Sequence, residues 1–287
     1  MRKSLLALSV LATLSAPTFA ADYTDGDTHK NDFKFMQFNY MYSIDEKPAS
    51  STAAENTHDY LEMEFGGRSG IFDLYGYVDV FNLANKDDTD KSTSPDKMFM
   101  KFAPRMSLDG LTGKDLSIGP IQELYVATLF NWGGNTSYNE KTGKTEGVNN
   151  SFWGLGSDIM VPWLGKVGLN FYGLYDLNTK DWNGYQVSAN WFKPFYFFDN
   201  GSFISYQGYI DYQLGMDDSQ AGTKSNGGAM FNGIYWHSNQ FAVGYGLKAY
   251  QDIYGLEDGA ATNFFPGDTG KWESSGVSHY LSVTYKF

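Results

Sequence analysis

The sequence predicts an all-β protein: a transmembrane antiparallel β-barrel of about 12 strands, laid out as an up-and-down meander. Three observations predict it. The chain ends on a strand-like row, Val277 to Phe287, in which Val277, His279, Leu281, Val283, Tyr285 and Phe287 share one face and Ser278, Tyr280, Ser282, Thr284 and Lys286 the other. It begins with Met1-Arg2-Lys3, a mostly apolar run from Ser4 to Ala16, and small residues before Ala21, which is the layout of an export signal cleaved after Ala20. Between these ends no segment reaches the ~18 consecutive apolar residues of a spanning helix. Aromatics nevertheless make up 17% of the chain, and strand alternation hides a lipid face from any window average.

Composition fits an exported barrel. There is no cysteine, so an oxidising compartment supplies no staples. Losing the first 20 residues removes Arg2 and Lys3 and makes the net charge of −12 two units more negative, which argues against nucleic acid as a partner. Residues 21–287 are expected to form one outer-membrane barrel domain, with no linker to divide them.

Twelve segments carry period-two patterning, near 33–44, 58–66, 70–82, 98–109, 116–130, 151–161, 166–176, 184–192, 202–214, 228–238, 241–252 and 277–287. In the second, Leu61, Met63 and Phe65 alternate with Tyr60, Glu62 and Glu64. In the third, Phe72, Leu74, Gly76, Val78 and Val80 alternate with Asp73, Tyr75, Tyr77, Asp79 and Phe81. The seventh sets Val167, Leu169 and Phe171 against Gly168, Asn170 and Tyr172, and the ninth sets Ile204, Tyr206 and Ile210 against Ser205, Gln207, Tyr209 and Asp211. The last must pair with the first, because lipid offers no partner to an open edge.

The gaps carry independent information. Those after segments one, three, five, nine and eleven are long and polar; those after two, four, six and ten are short. Long outer loops and short periplasmic turns alternate in this way. Two gaps break the rule: 177–183 is a short outer loop, and 193–201 (KPFYFFDNG) is a long inner turn whose aromatics suit a membrane interface. An even strand count places both ends of the barrel domain in the periplasm. A soluble β-sandwich shows the same alternation, but it does not explain why one set of gaps is systematically long.

At Tyr60–Phe81 (YLEMEFGGRSGIFDLYGYVDVF) and Ala103–Ala127 (APRMSLDGLTGKDLSIGPIQELYVA) the chain resembles the Tsx family of nucleoside-specific outer-membrane channels, nearest its outer-membrane protein K branch. The distinctive parts are Leu61–Glu64, Phe72–Tyr77 and Leu116–Pro120. The resemblance implies a monomeric barrel of twelve strands in the outer membrane, passing nucleosides and deoxynucleosides by diffusion. It also implies outer loops that serve bacteriophages as a receptor. Loops 131–150 and 253–276 do not map onto the nucleoside-channel pattern, so receptor properties transfer poorly.

A nucleoside is an uncharged flat base on a hydroxyl-rich sugar. A selective passage offers it aromatic faces and hydrogen-bond acceptors, each weak enough to release it. The expected substrate path is Tyr60, Glu62, Glu64, Asp73, Tyr75, Tyr77, Asp79, Lys101, Arg105, Glu123 and Tyr125, with Asp158, Tyr172, Tyr209, Asp211 and Lys248 on the same inward faces. Each has a plainer reading, because small barrels fill their lumens with side chains and an inward acid beside an inward base is often a structural ion pair. Phe38, Tyr40, Trp153, Trp191 and Trp236 fall on outward positions, as lipid face or interface girdle.

The rival classes are an enzyme and a structural or receptor barrel with a plugged lumen. Of the four histidines, His29 precedes the first segment, His58 and His237 sit at strand ends, and His279 faces outward. No metal spacing, phosphate loop or nucleophile elbow occurs, so neither catalysis nor a cofactor is expected. The acidic pairs Asp45-Glu46, Asp87-Asp88, Asp217-Asp218 and Glu257-Asp258 read as solvated loop tips, with cations bridging lipopolysaccharide as the alternative.

Overall fold

A computed structural model describes residues 22–52, 56–83, 97–134, 137–139, 144–262 and 267–287. The expected export signal and the Asp87-Asp88 pair lie outside them. The strands of the barrel are β1 (Phe33–Ile44), β2 (His58–Ser69), β3 (Phe72–Phe81), β4 in two pieces (Met98–Phe102 and Arg105–Ser107), β5 (Ile121–Gly133), β6 (Asn149–Val161), β7 (Gly165–Asp176), β8 (Asp181–Phe197), β9 (Phe203–Leu214), β10 (Asn226–His237), β11 (Phe241–Gln251) and β12 (Gly276–Lys286). Each pairs antiparallel with its neighbours in sequence, and β1 closes on β12 from Gln37↔Lys286 to Ile44↔His279. No strand of this cylinder is left as an edge, as a bilayer requires.

Alternation fixes which side chains face lipid. Trp153, Leu155, Phe171, Ile234, Val243, Leu281 and Val283 are all exposed on the outer surface, where hydrocarbon replaces water as their solvent. Trp191 is outward too, yet it is only 9% exposed. Its ring folds over Gly208 of β9, beside Tyr206.

Three stretches depart furthest from expectation, each for a local reason. The expected strand 98–109 breaks at Ala103-Pro104, because proline has no N–H to give the ladder. The gap is still bridged: Ala103 N donates to Tyr75 O at 2.7 Å and Pro104 O accepts from Thr128 N at 3.0 Å. Residues 108–120, split in the sequence reading between two strands and a short turn, are an inner connection opening with a one-turn helix, Leu108–Thr112. Ser107 caps that helix by accepting from Gly110 N, and buried Asp109 accepts from Leu116 N at 2.9 Å and Leu124 N at 3.0 Å. The expected long inner turn 193–201 is mostly strand. A bulge at Pro194/Tyr196 breaks the alternation while β8 runs on to Phe197, and a tight turn at Asn200 and Gly201 closes it.

The outer rim is folded inward. Ala49–Ser50 pairs with Trp272–Glu273, joining the first outer loop to the last. Lys47 Nζ lies 2.8 Å from both Asp45 and Glu273. Burial alone would lower this ammonium, but the two carboxylates outweigh it and hold its pKa above the ordinary value.

Candidate functional site

The barrel encloses a cavity of about 880 Å³ that runs from the periplasmic mouth at Phe33 and Lys34 to the outer rim at Glu46 and Trp272. Nine of the expected path residues line it: Tyr60, Glu62, Glu64, Asp73, Tyr75, Tyr77, Asp79, Lys101 and Arg105. Asp158, Tyr172, Tyr209, Asp211 and Lys248 line it as well. Glu123 and Tyr125 face inward but are 3% and 0% exposed, sealed beneath Arg68 and Arg105 rather than open to the cavity.

The middle of the lumen has two unlike walls. On β1 to β3, polar groups form a strip. Asn39 Nδ2 donates to Glu62 at 2.5 Å and to Glu64 at 3.1 Å; Gln37 Nε2 donates to Glu64 at 2.6 Å, and the Tyr75 hydroxyl to Glu64 at 3.0 Å. Facing them is an aromatic cluster. Tyr209 of β9 stacks on Phe231 of β10 with centroids 5.8 Å apart and Tyr235 packs beside them, while Tyr60 of β2 and Phe99 of β4 carry the cluster round to the polar side.

Two inner-face glycines set the position of that cluster. A Cβ at Gly244 would lie 2.1 Å from the Tyr235 ring, and one at Gly246 would lie 2.3 Å from Phe231. Without those atoms both rings rest flat on β11 and leave the centre open.

At the periplasmic end the lumen is packed. Arg105 donates to Asp73 at 2.9 Å and Asp158 at 3.0 Å, and stacks 4.0 Å over the Tyr125 ring. Lys166 reaches the second oxygen of Asp158 at 3.1 Å. Arg68 grips Glu123 through both Nη atoms, one at 2.8 Å, while the Tyr125 hydroxyl donates to the same carboxylate at 2.7 Å. The segment before β1 seals this corner. Tyr23 is 1% exposed with its ring 5.3 Å from the Arg68 guanidinium, and Asp32 accepts from Gly70 N at 2.8 Å. Asp32 in turn raises the His29 imidazole above its ordinary 6.5, first through their hydrogen bond and then through charge.

At the outer end, Glu46 turns into the lumen. It accepts from the Tyr280 hydroxyl at 2.9 Å and pairs with buried His58. Tyr250 bonds Tyr280 at 2.8 Å, and Lys248 lies 5.0 Å over the Tyr250 ring. Sequence reading missed Glu46, His58, Tyr250 and Tyr280 as lumen groups. For Tyr250 and Tyr280 the strand parity of Lys248 and Ser278 was an available signal; for Glu46 there was none. His279 does face outward, bonded to Tyr245 at 2.7 Å. Among the described residues no cluster of His, Asp and Glu has the makings of a metal site.

Residues 30–287 match the family described as nucleoside-specific channel-forming protein, Tsx. The chain is similar to outer membrane protein OmpK of Vibrio parahaemolyticus, 66% identical over 287 residues that span the whole of both chains. It is also similar to nucleoside-specific channel-forming protein Tsx of Salmonella typhimurium, 28% identical over 303 aligned residues with both chains fully covered. Among solved structures, OccK11 of Pseudomonas aeruginosa aligns over 94% of this chain and 98% of its own, at a TM-score of 0.37 and 7% identity. That likeness is too loose to carry an argument.

Proposed function

Because the chain belongs to the Tsx family of nucleoside-specific outer-membrane channels, we propose that its own cargo is nucleosides and deoxynucleosides, which diffuse through the lumen as a monomeric barrel. The family is one of channels and not of enzymes, and the barrel resides in the outer membrane. The observation that carries the proposal is the pair of unlike walls. The Glu62 and Glu64 strip offers acceptors to sugar hydroxyls, and the Tyr209 and Phe231 rings across from it offer faces to a base, with Tyr77 beside Glu64 as a third ring. Base stacking on aromatic side chains is worth about 1–3 kcal/mol per contact in single-strand binders, enough for brief retention without trapping.

The test is single-channel conductance of the refolded barrel in planar bilayers, titrated with adenosine, thymidine and glucose. Small steps blocked by the nucleosides and not by glucose support the proposal, and Tyr75→Ala or Glu62→Ala then weakens the block. Steps indifferent to every solute overturn it.

A second reading, the phage receptor, is supported by the ordered outer rim, where the Lys47 contacts and the 49–50/272–273 ribbon give a docking surface a fixed shape. Deleting the outer loops separates the two: a receptor loses phage adsorption while a channel keeps conducting.

A further inference from the structure

The ion pairs of the lumen differ in what they span. Arg105–Asp73 and Lys166–Asp158 join adjacent strands, and Arg68–Glu123 and Arg105–Asp158 stay on one side of the wall. Lys101 and Asp211 sit on β4 and β9, with four strands between them by the shorter way round and six by the longer. At about 4.8 Å per strand that shorter arc is roughly 24 Å of sheet. Yet Lys101 Nζ lies 2.8 Å from Asp211 Oδ2. The pair is therefore a chord thrown across the lumen. Both ends sit at matching depth, Lys101 three residues inside Met98 at the outer end of β4 and Asp211 three inside Leu214 at the outer end of β9.

The two ends are not equally held. Asp211 is braced from β8, accepting from Ser188 Oγ at 2.6 Å and Gln186 Nε2 at 3.3 Å. Lys101 is the long, rotatable partner, and its ammonium has aromatic rings within reach, Tyr77 at 6.0 Å and Tyr209 at 5.7 Å. Swinging away from Asp211 keeps it over a ring face, which softens the loss of its partner.

We propose that the Lys101–Asp211 pair is a hinged bar that sets the limiting aperture of this channel. The bar is neutral when closed, so an uncharged solute has only to displace the Lys101 arm. A phosphorylated solute competes with Asp211 for Lys101 while meeting Glu62, Glu64 and Asp79 on the neighbouring strands β2 and β3. This inference rests on the channel reading but not on which solute the channel prefers.

The test compares wild type, the double variant Lys101→Gln/Asp211→Asn and the charge swap Lys101→Asp/Asp211→Lys, by single-channel conductance in KCl and reversal potential across a KCl gradient. Removing the bar is expected to raise conductance severalfold and, with Glu62, Glu64 and Asp79 left without the Lys101 ammonium, to shift the reversal potential toward cations; the swap is expected to restore the wild-type step. A double variant that conducts like wild type overturns the proposal, and so does a swap that conducts like the double variant. Urea midpoints of the two single variants and the double complete a cycle that needs no current: additive midpoints mean the chord is not made and overturn the proposal on their own. If the bar behaves as expected while adenosine and thymidine fail to block, the bar stands and the nucleoside reading falls.

Discussion

Replacing Arg68 by methionine keeps an unbranched apolar stem and removes the guanidinium and its charge. Glu123 then loses its bidentate partner in a place where the two side chains are 6% and 4% exposed. The Tyr125 hydroxyl still donates to Glu123, and Arg105, stacked on the Tyr125 ring, is committed to Asp73 and Asp158. Removing one member of a buried pair typically costs about 3–5 kcal/mol, because the survivor keeps its desolvation penalty without its attraction. Tyr23 also loses the cation under its ring, a contact worth about 0.5–2 kcal/mol. With a slope of roughly 2–3 kcal/mol per molar urea, the unfolding midpoint should fall by about 1–3.5 M. The assay is urea unfolding in detergent micelles, read by tryptophan fluorescence. The double variant Arg68→Met/Glu123→Gln removes the orphaned charge and should recover most of the loss. A single variant within about 0.5 M of wild type, or a double variant no better than the single, would refute the claim that this corner is a closed, low-dielectric pair.

Three further outcomes are expected. Gly246→Val drives Phe231 off the wall toward the lumen centre, so single-channel conductance should fall while the barrel still folds; an unchanged step means the ring has another way to yield. Glu46→Ala releases the first outer loop from Tyr280 and His58, and limited proteolysis within residues 45–57 should accelerate relative to wild type. The seat of the N-terminal segment should follow pH. The pKa of His29 is raised above 6.5 by Asp32, so its contribution is full below 6.5 and is lost as pH rises through the higher folded value. Asp32 is lowered beneath 3.8, first by the same hydrogen bond, so its contribution is present above 3.8 and is lost as pH falls through the folded value. Hydrogen exchange at the Gly70 amide, which donates to Asp32, should show protection greatest between those limits, and His29→Gln should remove the alkaline limb.

Most of the barrel was legible because a strand against lipid must alternate, and alternation survives without any knowledge of what lies opposite. The inward parity of Glu62, Asp73, Tyr77 and Lys101 came from that rule alone. Arg68 was lost because β2 runs three residues past its expected end, so a lumen guanidinium was assigned to a turn. Pro104 was a readable break that the regular pattern on either side of it disguised. Lys193–Phe197 reads as a turn in the sequence because the bulge at Pro194/Tyr196 erases the period-two pattern. Glu46 was out of reach in principle: a loop residue that folds back into the lumen leaves no periodic trace. The Lys101–Asp211 contact needs the curvature of the closed sheet, which no single strand carries.

The seat of Tyr23 has a consequence for the order of assembly. It is made of Arg68 from β2, held in place by Glu123 from β5. Neither residue is in position until the first five strands have come together around the lumen. The residues that precede every strand in the chain therefore find their place only after those five strands have found theirs. A chain with fewer strands in place would carry this segment loose, so its protection reports the gathering of β2 and β5 rather than the start of folding.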